Sequence, residues 1–149
     1  MKHHKRFAVT TLLLGSLGFG LGCSGLADSL VSASGSEIST GDDAQMPADY
    51  PLPAPPGHEK PTSVIKMPMG ELTMVTVTFE MDDAMVHEAF YTKHFRDAGV
   101  DVTTETSDVL GTKTVVLAKQ DQSQSVVLSQ SYGSSSVSLV TMTKTGPSD

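Results

Sequence analysis

The chain has 149 residues, ten Lys and Arg against 17 Asp and Glu, and a net charge of −7 at pH 7. That length accommodates one small domain with its own core, and the acidic balance argues against binding nucleic-acid phosphates. One cysteine leaves no internal disulfide to form, so the fold has to rest on apolar packing.

Residues 1–22 open with a basic cap, Lys2, Lys5 and Arg6, and Phe7 to Gly22 carry no charge. This run of about 16 residues is short of the ~20 that span a bilayer, so it predicts a signal peptide and not a permanent span. The sequence Gly20-Leu21-Gly22-Cys23-Ser24 that follows resembles the lipobox of bacterial lipoproteins, with Leu21 one place later than usual. The resemblance implies that Cys23 is acylated, becomes the first residue of the mature protein and holds it in the cell envelope. Ser24 after the cysteine, where an inner-membrane retention signal has Asp, points to the outer membrane, facing the periplasm. The alternative is an ordinary signal peptide cut after Ala27, leaving a soluble secreted protein. Without residues 1–22, seven basic residues face 17 acidic ones, a net charge of −10. Membrane contact is therefore expected through lipid alone, and two acyl chains suffice for a firm anchor.

Residues 23–49 are rich in Ser, Gly, Ala and Asp, with scattered Leu26, Leu30, Val31 and Ile38, and predict a disordered tether. Residues 50–61 form a proline-rich lead-in, densest in Pro51-Leu52-Pro53-Ala54-Pro55-Pro56, which favours extended polyproline II. The folded domain is expected over residues 62–145, with 146–149 as a tail.

Within that domain Ser63 to Met67 reads as a short strand broken by Pro68 and Gly70. Glu71 to Met81 alternates, with Val75, Val77, Phe79 and Met81 on one face and Met74, Thr76, Thr78 and Glu80 on the other. Asp82 and Asp83 are candidate N-caps of a helix from Ala84 to Ala98 that stops at Gly99. Val86, Phe90, Tyr91, Phe95 and Ala98 share its apolar side. Four strands follow, Val100 to Thr106, Thr112 to Ala118, Ser125 to Ser131 and Ser136 to Thr143, joined by hairpin-length turns. Connections this short require antiparallel pairing. The expected fold is α+β, a single helix on an antiparallel β-meander sheet in the order ββαββββ, with a Ser/Thr-rich exposed face.

The Tyr50-Pro51 and Pro56-Gly57 pairs, followed by Phe90-Tyr91-Thr92-Lys93-His94-Phe95 and Gly99-Val100, resemble a group of small uncharacterised bacterial envelope domains. Those open with Tyr-Pro-Gly and carry a helix of the form Phe-Tyr, three residues, Leu, three residues, Gly-Trp. Here Phe95 takes the Leu position and Val100 the Trp position. The resemblance implies the same helix-and-meander fold and no particular activity.

Three groups of side chains are chemically suggestive. His87 and His94 lie on one side of the predicted helix, about 10 Å apart along its axis, so a shared metal would need a further ligand such as His58. Met67, Met69, Met74, Met81 and Met85 cluster in sequence. Thioethers suit Cu(I), which makes Met67, Met69 and His87 candidate ligands; packing of helix on sheet explains the methionines equally. Asp82-Asp83 could be an acid/base pair, but caps need no such role. No nucleophile elbow, zinc-protease motif, P-loop or dinucleotide fingerprint occurs, so no enzyme and no cofactor are expected. The reading that remains is a lipid-anchored envelope protein acting as a non-catalytic binding or assembly module, with an envelope protein as its possible partner. The alternative is a periplasmic protein that binds Cu(I) or a small ligand.

Overall fold

The structure, a computed structural model, describes residues 35–144. The predicted signal peptide, Cys23 and the 146–149 tail lie outside the described residues. Seven strands, β1 (Glu37–Thr40), β2 (Ser63–Met69), β3 (Leu72–Glu80), β4 (Val102–Val109), β5 (Thr112–Lys119), β6 (Gln124–Ser131) and β7 (Ser134–Lys144), form one antiparallel sheet. The helix α1 (Glu88–Asp97) carries the chain from β3 to the far edge of the sheet. The order across the sheet is β1-β2-β3-β7-β6-β5-β4, so the meander starts at that edge and walks back until β7 docks beside β3. Short connections impose the antiparallel pairing, as the sequence predicts. At Leu110-Gly111 both residues have positive φ, 53° and 77°. That is the backbone of a type I′ hairpin, which matches the twist of the flanking strands.

Two features of β1 and β2 correct the sequence reading. The order ββαββββ omits β1, which lies inside the 23–49 segment expected to be a tether. Glu37-Ile38-Ser39-Thr40 has too little pattern to announce a strand, and it forms because β2 presents an edge. Ile38 lies opposite Ile65, and Glu37 opposite Lys66, with their side chains paired at 3.5 Å. Pro68 also does not end β2. Met67 to Met69 extend beyond β1, so the missing N–H of Pro68 removes nothing from the β1 side, and Pro68 pairs with Thr73 of β3.

The core lies on one face of the sheet. Val77 and Phe79 of β3, Val115 and Leu117 of β5, Val126 and Leu128 of β6, and Val137 and Leu139 of β7 are all buried there. Their alternation is what the period-two pattern requires. Tyr91 and Phe95 of α1 pack into this cluster, with the Phe90 ring edge-on to Tyr91 at 4.9 Å.

The proline-rich lead-in belongs to the domain and covers the rest of that face. Leu52 is fully buried, as is the side chain of Pro55. The Tyr50 hydroxyl donates to the Leu139 carbonyl at 2.7 Å, with the Val75 carbonyl a second acceptor at 3.0 Å. Burial pushes its phenol up to about 12. The Tyr91 hydroxyl reaches back from the helix to the Pro53 carbonyl at 3.0 Å. Proline restricts the unfolded chain, so ordering this segment costs less than ordering an ordinary loop. Burial of Leu52 adds roughly 1.5–3 kcal/mol.

The helix begins later than its pattern suggests. Met85 to His87 form a 3-10 turn, whose first N–H, on Met85, donates to Asp83 Oδ1 at 2.9 Å. Only from Glu88 is the backbone α-helical. A 3-10 turn advances side chains by more per residue than an α-helix, and Val86 is consequently turned outward, 65% exposed. Ala98, beyond the last turn, is exposed as well. Neither joins the packing side predicted for it. Gly99 closes the helix with φ +66°, as expected. Its N–H donates to Arg96 and that of Val100 to Phe95, both at 3.0 Å, the paired bonds of a Schellman cap.

Candidate functional site: the bare face of the sheet

Strand register places the residues of the opposite face. Opposed residues in antiparallel strands point to the same side, so each register row is also a row of neighbouring side chains. One row runs Ser63, Thr78, Ser138, Val127, Val116; the next runs Ile65, Thr76, Val140, Ser125, Ala118. Around β6 and β7 the face is studded with hydroxyls, as the sequence predicts, and those of Thr78 and Ser138 lie 3.1 Å apart. At the β2–β3–β7 corner the chemistry changes. Met67, Met74 and Met142 stand side by side on three adjacent strands, followed one row further along by Met69 and Leu72. Ile38 and Ile65 complete the corner from β1 and β2. Met69 is 45% exposed and Ile38 48%. Among the described residues neither α1 nor the lead-in crosses this face, since both pack into the core on the other side.

This arrangement divides the methionine cluster. Met81 and Met85 pack against the core, while Met67, Met69 and Met74 lie on the bare face. There they meet Met142, distant in sequence and brought in by the β3–β7 pairing. The alternation of β7 puts Met142 on the same side as Val140, a signal open to reading, but its neighbours could not be known without the strand order.

The candidate ligand set of Met67, Met69 and His87 is broken up by the structure. The two methionines lie on the bare face and His87 at the start of the helix, on the opposite side of the sheet. The cause is the crossover of α1, which carries the segment from Ala84 to Phe95 along the core side of the sheet. His87 is buried and faces His58 of the lead-in, the two ring centres 5.7 Å apart and nearly perpendicular. Burial holds its pKa below the ordinary histidine value, the neighbouring His58 lowers it further, and the Asp83 carboxylate opposes both. His94 instead lies edge-on to Phe95, its neighbour in the chain. Asp82 and Asp83 do not cap α1, whose cap position is His87; Asp83 instead accepts from the Met85 N–H two residues on, at the entry to the 3-10 turn. Among the described residues no three His, Cys, Asp or Glu side chains are grouped closely enough to hold a metal by themselves.

Two further polar features are structural. Asp121 Oδ1 accepts from the Ser123 N–H at 2.9 Å and from its hydroxyl at 2.6 Å, which shapes the β5–β6 turn and lowers the pKa of the carboxyl. Ser135, buried in the β6–β7 hairpin, accepts from the Ala84 N–H at 2.6 Å and so ties the helix approach to the sheet. No protein-family model matches the chain, and neither a curated protein nor a solved structure matches it, so the geometry of the two sheet faces is what a functional reading has to rest on.

Proposed function

We propose that the chain is a lipid-anchored protein of the cell envelope whose folded domain works by binding and not by catalysis, docking an envelope protein on the bare face of its sheet. The observation that carries this is the asymmetry of the sheet. One face is covered by α1 and the lead-in, and the other presents the Met67–Met74–Met142 row with Met69, Leu72 and Ile38 beside it. Methionine is unbranched and polarizable and adapts to an incoming surface, a property suited to docking. The −10 charge of the mature chain calls for a partner whose apolar patch is rimmed by basic residues. The leader and Cys23 support the anchored location.

The test is in-place photocrosslinking in intact envelopes, with the crosslinker at position 67 or 142 and a control at the exposed helix position 93. A discrete protein adduct is expected from 67 and 142 and not from 93, and Met74→Glu should abolish it while leaving the circular dichroism unchanged. Equal labelling from all three positions would refute the docking face. Mass spectrometry of the mature N-terminus tests the anchor separately, since a chain starting at Asp28 would remove it.

A further inference from the structure

We propose that His58 and His87 form a two-imidazole site for a divalent transition-metal ion of the zinc and copper class. His58 sits at the end of a tight turn, its N–H donating to the Pro55 carbonyl at 2.9 Å, with Gly57 at φ +80° allowing the bend. His87 ends the 3-10 turn that precedes α1, and that turn is pinned to the sheet through Ala84 and Ser135. Two elements far apart in sequence, each fixed by its own backbone hydrogen bonds, therefore bring two imidazoles together at 5.7 Å. An ion bound tetrahedrally by two histidines at ~2.0–2.1 Å from each nitrogen holds the ring centres roughly 5 Å apart, close to the observed spacing.

The nitrogens are also uncommitted. Neither ring makes a side-chain hydrogen bond within the described residues, and no buried polar atom there lacks a partner, so the nitrogens of both rings keep some access to solvent. The rings meet edge to face, so chelation requires them to reorient, and His58 is half-buried on its turn. Imidazole nitrogen suits zinc and copper, whereas calcium and magnesium take oxygen ligands. Asp83, close enough to act on His87 electrostatically, offers its second oxygen as an outer partner, and water completes the shell. Two protein ligands hold an ion less tightly than the three or four of established zinc sites, so half-saturation belongs in the micromolar range. A bound ion would staple the lead-in to the start of the helix. This site is independent of the bare sheet face.

The experiment is calorimetric titration of the tag-free full chain in detergent with zinc chloride at pH 7.5. All samples carry His3→Asn and His4→Asn, so that only His58, His87 and His94 remain. One ion per chain is expected, weakened at least tenfold by His58→Gln and by His87→Gln and unchanged by His94→Gln. His58 lies on a half-buried turn, so His58→Gln keeps the test valid if His87→Gln impairs folding. Absence of saturable binding, or binding that survives His58→Gln in a folded chain, overturns the proposal.

Discussion

Leu52→Ala tests whether the proline-rich lead-in is a structural part of the domain. Leu52 is completely enclosed by the core cluster on the covered face of the sheet. Removing three carbons forfeits about 2.4 kcal/mol of transfer free energy at ~0.8 kcal/mol per methylene. Flanking Pro51 and Pro53 limit collapse into the space, so a cavity contribution brings the expected loss to about 3 kcal/mol. The described domain has about 110 residues. At ~2.1 cal/mol/K per residue its unfolding entropy is about 0.23 kcal/mol/K, which converts that loss into a fall in Tm of roughly 13 °C. Urea unfolding followed by circular dichroism measures it, with the exposed Glu59→Ala as a control expected to stay within about 0.5 kcal/mol. If Leu52→Ala behaves like that control, the lead-in does not belong to the cooperative unit and the account of the covered face fails.

Four further outcomes follow from the same structure. Gly99→Ala meets no atom within 4 Å of the new Cβ, so its cost is conformational alone, about 1 kcal/mol by urea midpoint, and a neutral result contradicts the left-handed cap. Ser135→Ala strands the buried N–H of Ala84 and should cost about 1–3 kcal/mol in the same assay, where no change would mean that the hydrogen bond is not formed. The lowered pKa of His87 makes its contribution to stability complete above the ordinary histidine value of 6.5 and lost as pH falls through its depressed folded value. Metal-free unfolding at successive pH values should show that acid loss, and His87→Gln should flatten it; an unchanged slope refutes the assignment. Dilute peroxide followed by peptide mapping should oxidise Met67 and Met69 before Met81 and Met85, and the reverse order would contradict the two-sided division of the methionines.

Where local chemistry decides, the sequence was readable. The alternation of Val75, Val77 and Phe79 with Thr76, Thr78 and Glu80 made β3 legible because a half-buried strand requires period two, and Gly99 marked the helix end because few other residues tolerate its φ. Where a distant partner decides, it was not. Ile38 lacks a local pattern and becomes a strand residue only because Ile65 lies opposite. Pro51 to Pro56 look solvated until Tyr50, Leu52 and Tyr91 are seen to fasten them to the sheet. Helical periodicity misplaced Val86 because the first turn is wound more tightly than the pattern assumes. The candidate site suffered most, since the Met142 row and the His58–His87 contact join segments separated by strand order and not by spacing.

The position of β7 has consequences for biogenesis. The strand synthesised last of the seven occupies the middle, holding the β2–β3 hairpin to the β4–β6 meander through contacts such as Thr76 with Val140. Shorter nascent chains possess two half-sheets and nothing to join them, and such non-local closure is slow. Completion of the sheet is thereby delayed until its final strand has been made.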